Sequence, residues 1–270
     1  MSNNRKREWL DVTRLEFRHS YRSPLVEFIT VFFLYIAFSA TYGGASRPHG
    51  IDTVPGPAWN GTAQIDYFNS FMNSISTITL ANSLEQLWVV IMFIMPLIIA
   101  FTTARSFEDG SLRTLLSYPV ERTHLLLMRI LVSFLIIGGI STLSVLLAQF
   151  LMVPATIDIG VFLSYFGIFY LAIILVITSI SLLAIVTKRT MATAVGGVAV
   201  WYSLLIFSAN SADLRVISWI MNPIYMFSLY IRGGEDAPML GDVLFTIGVM
   251  SVMVVVFILS AIMLFKKVEA

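Results

Sequence analysis

The stretch that decides the fold runs from Leu87 to Leu127 and reads LWVVIMFIMPLIIAFTTARSFEDGSLRTLLSYPVERTHLLL. An apolar run is followed by a short segment of charged and turn-forming residues, and a second apolar run begins where the stretch ends. A helix needs roughly 20 apolar residues to cross a bilayer core about 30 Å thick. The stretch therefore predicts two membrane helices joined by one polar connection.

The rest of the chain repeats this pattern. Of its 270 residues, 57% are hydrophobic and 12% are charged, and the mean hydropathy is +0.85, whereas a soluble domain is about 25% charged. We predict an all-α polytopic membrane protein whose single transmembrane domain, residues 24–270, has six spans: 24–42, 87–104, 125–153, 161–186, 191–209 and 243–265. Residues 1–23 lack the apolar core of a secretory signal, so we expect no cleaved targeting peptide.

The positive charges predict the orientation. Fourteen of the 17 Lys and Arg residues fall before the first span, around the connections after the second and fourth spans, or after the sixth span. The other three are Arg47, Arg215 and Arg232. Because Lys and Arg stay preferentially on the cytoplasmic side, we expect a multi-pass protein of the cell membrane with both termini in the cytoplasm.

Three further segments have predicted roles. The N-terminal segment mixes Trp9 and Phe17 with Arg14 and Arg18, which favours an interfacial helix on the inner leaflet over a solvated, disordered basic arm. Residues 43–86 are expected outside the membrane, with a short amphipathic helix near residues 68–78. The outer connection 210–240 contains an apolar run broken at Asn222-Pro223, which predicts a re-entrant or interfacial hairpin between the fifth and sixth spans.

The cytoplasmic connection after the second span predicts a short helix of its own. Ser106 and Asp109 form a start that resembles a capping box, and Pro119 ends the helix. Leu112, Leu115 and Leu116 fall on one face and form an apolar ridge toward the cytosol. Such a ridge either folds back on the bundle or the lipid surface, or it docks a partner.

The connection also carries a family signature. Glu108-Asp109-Gly110-Ser111-Leu112, Leu115-Leu116, Tyr118-Pro119-Val120 and Arg122 resemble the E-x-G-[ST]-L-x-x-L-L-x-x-P-[VI]-x-R pattern of type-2 ABC exporter permeases. In that family this loop is the coupling helix, which inserts into a groove of the ATP-binding subunit. The resemblance implies that the leucines fill the groove, that Glu108 and Asp109 cap and pair at its rim, and that Gly110 permits a tight approach. It also implies two ATPase subunits, a second permease copy or a paralogue, and alternating access.

The chain lacks the residues for ATP hydrolysis of its own. No G-x-x-x-x-G-K-[ST] phosphate loop occurs, so we expect no enzyme activity and no cofactor on this chain, with ATP and Mg²⁺ on the partner. The chain has no Cys, three His and scattered Met, which argues against a metal site. The paired glycines Gly138-Gly139 and Gly196-Gly197 favour close helix approach or a hinge over a nucleotide role.

A stand-alone scaffold or a secondary transporter is the alternative. An ion-coupled transporter is expected to carry carboxylates inside its spans, but Glu27, Glu85 and Asp158 all fall near predicted span ends. The predicted spans are mostly apolar, so an apolar or amphipathic cargo is favoured over ions. The bilayer is the remaining expected partner, and no nucleic-acid partner is expected.

Overall fold

The computed structural model describes residues 25–46, 61–112, 121–153, 158–210, 215–233 and 237–267. Nearly all of these residues are helical, and no strand occurs among them, as the all-α prediction requires. The helices are α1 (Leu25–Ser46), α2 (Gly61–Ile99), α3 (Arg122–Met152), α4 (Ile159–Thr187), α5 (Thr190–Asn210), α6 (Arg215–Met221), α7 (Pro223–Arg232) and α8 (Leu240–Lys266). α2 continues through a π-helical turn, Ala100–Ala104, into a last α-helical turn, Arg105–Glu108.

Five stretches of the described helices are long and apolar enough to cross a membrane. They are Val26–Gly43, Ile75–Glu108, Arg122–Met152, Ile159–Thr187 and Leu240–Lys266. The predicted fifth span, 191–209, corresponds to α5, which is 21 residues long. These helices make the chain a multi-pass membrane protein, and the six-span topology stays a prediction.

α2 begins much earlier than the predicted second span. A separate external helix near residues 68–78 is not observed, because the helix is continuous from Gly61 to Ile99. No Gly or Pro interrupts the chain between Gly61 and Pro96, and the hydroxyls of Thr79 and Ser83 bond to carbonyls of the helix itself. For example, the Ser83 hydroxyl donates to the Thr79 carbonyl at 2.8 Å. As a consequence Glu85, predicted just outside the second span, lies inside the span-length segment.

α4 lies at the centre of the bundle. It packs against α2, α3, α5, α7 and α8, and its residues Phe169, Ile173 and Val176 are completely buried. α8 lies at the periphery and turns apolar side chains such as Val252 outward. Lipid is as apolar as these side chains, so helix contacts in a membrane depend on close packing and on hydrogen bonds.

Three helices approach one another closely at Gly197. A Cβ atom added there would lie 2.8 Å from Cβ of Pro96 in α2 and 2.9 Å from Cδ1 of Ile180 in α4. At the neighbouring Gly196 the nearest atom, on Leu183, would be 3.6 Å away, which is an ordinary contact. The predicted role of the α5 glycine pair in close helix approach is therefore confirmed at Gly197.

Two polar side chains define helix starts. The Asp158 carboxylate accepts hydrogen bonds from the backbone N–H groups of Gly160 and Val161, at 2.8 and 3.0 Å, and so caps α4. Asn222 separates α6 from α7, and its side-chain oxygen accepts from the N–H of Tyr225, with Pro223 at the first helical position. The chain thus breaks at the predicted Asn222-Pro223 pair and forms two short helices.

A buried polar seam joins α1, α2 and α3. Thr41 shares a hydrogen bond of 2.7 Å with Ser83, and the Thr79 hydroxyl lies 3.2 Å from the side-chain oxygen of Gln149. The Nε2 atom of Gln149 is buried and has no hydrogen-bond partner in the described part of the chain. Hydrogen bonds between helices are one of the two forces that hold a membrane bundle together, and this seam supplies them.

Candidate functional site

The cytoplasmic end of α2, as the charges predict it, changes its helical geometry before it ends. Pro96 has no backbone N–H to donate within the helix, and a π-helical turn follows at Ala100–Ala104. Single π-turns inside α-helices occur frequently at functional sites. The segment Arg105–Leu112, which we call the docking segment, follows directly after this turn.

Three consecutive residues tie the docking segment to three different helices. The Ser106 hydroxyl accepts a hydrogen bond of 2.7 Å from the guanidinium of Arg129 in α3. Phe107 packs edge-on against Phe265 of α8, with ring centroids 6.2 Å apart. The Glu108 carboxylate accepts a hydrogen bond from the Thr190 hydroxyl at the start of α5. These contacts link the docking segment to the ends of α3, α5 and α8.

Thr190 reaches Glu108 because α4 and α5 are joined by a very short turn. Only Lys188 and Arg189 lie between the two helices. Lys188 adopts a left-handed conformation with φ of 53°, which reverses the chain directly after α4. Thr187 and Thr193 share a hydrogen bond of 2.8 Å across the turn and hold it closed.

The turn inside the docking segment differs from the predicted capping box. Ser106 lies within the helix and its hydroxyl donates to the Thr103 carbonyl at 2.6 Å, so it caps nothing. Asp109 acts as the cap instead, since its carboxylate accepts from the Ser111 N–H at 3.1 Å. Gly110 has φ of +72°, a conformation that only glycine adopts readily.

Leu112 also differs from the prediction of a fully exposed ridge. Its side chain is only 3% exposed and belongs to the hydrophobic core of this chain. Arg105 and Asp109 form an ion pair of 3.9 Å, but both side chains are largely exposed, so the pair adds little stability. Leu112 thus anchors the docking segment to the core of this chain, and Asp109 and Gly110 lie on the more exposed side of the turn.

The model of the family described as ABC-2 family transporter protein matches residues 10–270. The chain belongs to this family. The match covers every helix described above and includes the docking segment. No individual curated protein matches the chain. As a member of the ABC-2 family, the chain is a membrane transport component and is not itself catalytic.

The remaining predicted site residues of this ABC-2 family chain lie outside the described residues. These are Leu115, Leu116 and Pro119 of the coupling helix, and Trp9, Arg14, Phe17 and Arg18 of the connector helix. Ser111 and Leu112 are helical and start the predicted coupling helix. Of the eight predicted docking residues, the structure thus brings together Glu108, Asp109, Gly110, Ser111 and Leu112 in one turn.

Sequence reasoning missed the partners of the docking segment. Arg129 carried a usable signal, because it is a charged residue inside the predicted third span, 125–153, where such residues are costly and usually paired. It is buried, with 7% of its surface exposed. Thr190 and Phe265 carried no comparable signal, since Thr and Phe are ordinary residues at the ends of membrane helices.

A second polar site lies at the break between α6 and α7. The side-chain amide of Asn222 donates to the Glu85 carboxylate in α2 at 3.0 Å. The indole N–H of Trp88, also in α2, donates to the Met221 carbonyl at 2.7 Å. Trp88 is completely buried and meets Trp201 of α5 edge-on. Sequence reasoning identified the break but assigned no partner to it.

Proposed function

We propose that this chain is the transmembrane permease subunit of an ATP-driven ABC exporter. Energy comes from a separate ATPase subunit, of which two are expected, and a second permease copy or a paralogue completes the transport pathway. The cargo is apolar or amphipathic and moves by alternating access. Membership of the ABC-2 family supports the permease assignment.

The observation that carries the proposal is the three-way anchoring of the docking segment. A partner that pushes on this segment acts at once on α3 through Arg129, on α5 through Thr190 and on α8 through Phe265. In this scheme Leu115 and Leu116 fill the groove of the ATPase, and Asp109 lies at its rim. Leu112 is buried in the permease and fixes the base of the coupling helix.

Copurification tests the proposal. An ATPase with a phosphate-loop lysine should copurify with the wild-type chain from its native membranes. The double variant Leu115→Asp plus Leu116→Asp should retain less than about a tenth of that ATPase, because burying one leucine is worth about 1.5–3 kcal/mol and a carboxylate in its place is strongly disfavoured. The wild-type chain and the double variant should each elute from a sizing column as folded, monodisperse material.

A matched control uses an exposed apolar residue at the far end of α8. Met239 is 78% exposed and precedes the first residue of that helix, whereas the docking segment packs near its last residues. Met239→Asp should retain the full amount of ATPase. An ATPase that stays bound to the double variant would refute the docking surface. A wild-type chain that copurifies with no ATPase would favour the stand-alone scaffold or secondary transporter.

A further inference from the structure

We propose that Glu85 is a positioning residue that fastens the α6–α7 hairpin to α2, so that movements of α2 are passed to the hairpin. The second half of this statement rests on the proposed function. The first half rests on contacts within the chain, which join one face of α2 to two consecutive residues of the break between α6 and α7.

Glu85 and Trp88 are three residues apart on α2 and therefore lie on the same face of the helix. Glu85 holds the Asn222 side chain, and Trp88 holds the Met221 carbonyl. That carbonyl is at the last residue of α6, where helical carbonyl groups lose their partners within the helix. The two bonds together fix the position of the break and satisfy an acceptor that would otherwise be unpaired.

Both the oxygen and the nitrogen of the Asn222 side-chain amide form hydrogen bonds. Its oxygen accepts from the Tyr225 N–H and caps α7, and its nitrogen donates to Glu85. The two bonds determine which way the amide points. An aspartate at position 222 would keep the cap but would place a second carboxylate against Glu85, which is repulsive. The hydrogen bond between Glu85 and Asn222 can therefore be tested by exchanging the acid and the amide between the two positions.

The hairpin, Arg215–Arg232, is also held by α4. Tyr165 hydrogen-bonds to Ser228 and meets the ring of Phe227 edge-on at 4.8 Å. Ile224 and Met226 on α7 are completely buried. Among these contacts, only those from α2 end at the break itself, so α2 is placed to move one end of the hairpin against α4.

The same helix leads from Glu85 to the docking segment at its C-terminal end. From Glu85 to Glu108 the helix is roughly 35 Å long at about 1.5 Å per residue, which is close to the thickness of the bilayer core. Between these residues, Pro96 lies against Gly197 of α5 and the π-turn packs against the same helix. A displacement of the docking segment is thus carried by one helix to the break between α6 and α7.

Cysteine labelling tests the fastening in the full chain reconstituted in nanodiscs. The chain has no native cysteine, so single cysteines report without background. Met226→Cys reports on the buried side of α7, and Tyr225→Cys, at a position 46% exposed, reports on its open side. In Glu85→Ala a small uncharged maleimide should label position 226 at least about tenfold faster than it does with Glu85 in place. The variant loses a hydrogen bond to a charged group, so the buried side of α7 is exposed more often.

Four further variants sharpen the test. Glu85→Gln keeps an acceptor for Asn222 and should label like wild type, and Asn222→Asp should label as fast as Glu85→Ala. The exchanged pair Glu85→Gln plus Asn222→Asp should return to the wild-type rate, a rescue that a general loss of packing would not produce. Glu27→Ala, at an exposed carboxylate of α1, should change nothing. Labelling at position 225 should be equal in all of them.

Equal labelling of position 226 in wild type and Glu85→Ala, or no rescue by the exchanged pair, would overturn the fastening. Transmission is tested in the complex with the copurified ATPase. A non-hydrolysable ATP analogue should change labelling at position 226 in wild type and in Glu85→Gln, but not in Glu85→Ala. An equal response in Glu85→Ala would overturn the transmission of α2 movements to the hairpin.

Failure of any ATPase to copurify would refute the proposed function, and transmission with it. The labelling of the chain alone would still decide whether Glu85 fastens the hairpin.

Discussion

Gly197 shows how one missing side chain sets the spacing of three helices. Its backbone lies against Pro96 of α2 and Ile180 of α4, so a Cβ atom added there would come closer to both than real Cβ atoms essentially ever do. Pro96 is a rigid ring and cannot rotate away. The glycine is therefore required by space, whereas Gly110 is required by its backbone conformation and has no atom within 4 Å of an added Cβ.

Gly197→Ala should destabilise the chain by about 1–3 kcal/mol, the usual cost of overpacking a close contact. Gly196→Ala is the matched control, since it is on the same helix and meets only an ordinary contact with Leu183. Thermal unfolding in detergent, followed by tryptophan fluorescence, should show a lower Tm for Gly197→Ala and an unchanged or slightly higher Tm for Gly196→Ala. Equal Tm values for the two variants would show that α5 can shift away from Pro96.

The end of α2 depends on a charge that is buried among helices. Arg129 donates to the Ser106 hydroxyl, which in turn donates to the Thr103 carbonyl. This chain of bonds joins α3 to the last turn of α2, directly after the π-turn. The hydroxyl is small, but it is both the acceptor of the arginine and a donor to its own helix, and no apolar side chain can replace it.

Ser106→Ala should cost about 1–3 kcal/mol, because the buried guanidinium loses one of its acceptors. Ser251→Ala on α8 is the control, since the Ser251 hydroxyl bonds to the Ile247 carbonyl of its own helix and to no other helix within the described residues. Urea or thermal unfolding compares the two stabilities. In the copurification, Ser106→Ala should also retain less ATPase than Ser251→Ala, because the docking segment loses its link to α3. A Ser106→Ala chain as stable as Ser251→Ala would show that Arg129 finds another acceptor.

The topology of the complete chain depends on whether α5 crosses the membrane. This helix is 21 residues long, close to the roughly 20 residues that one crossing requires. If α5 crosses, the turn at Arg189 and the segment before α8 at Met239 lie on opposite sides. If it does not cross, the two positions share a side, and α8 then leaves the C-terminal end outside the cell.

We expect six spans, so a cysteine placed at Met239 should react with a membrane-impermeant maleimide added outside intact cells. A cysteine at Arg189 should react only after the membrane is opened. Both side chains are exposed in the structure, which makes accessibility a matter of the side of the membrane alone. Reaction of both positions under the same condition would contradict the six-span topology. A cysteine added at the C-terminus gives an independent check, since it should stay unlabelled in intact cells.

Much of the fold was predictable because helices in a membrane are local structures. Apolar length predicts where α3, α4 and α8 lie, and the Asn222-Pro223 pair predicts the break between α6 and α7. The start of α2 was not predictable from apolar length, because residues 61–74 are too polar to resemble a span and yet continue the helix. The family signature identified the docking segment, whereas the residues that hold it were not identified.

The sequence by itself determined that this protein is helical, apolar and interrupted by a charged connection, because periodicity, charge and turn residues act within a few positions along the chain. The tertiary structure alone decided which polar groups pair. Glu108 meets Thr190 across 82 positions, and Glu85 meets Asn222 across 137. It also decided that Asp109 and not Ser106 caps the turn, and that Leu112 is buried. Such pairings depend on how helices pack, and packing brings together residues that no local pattern relates.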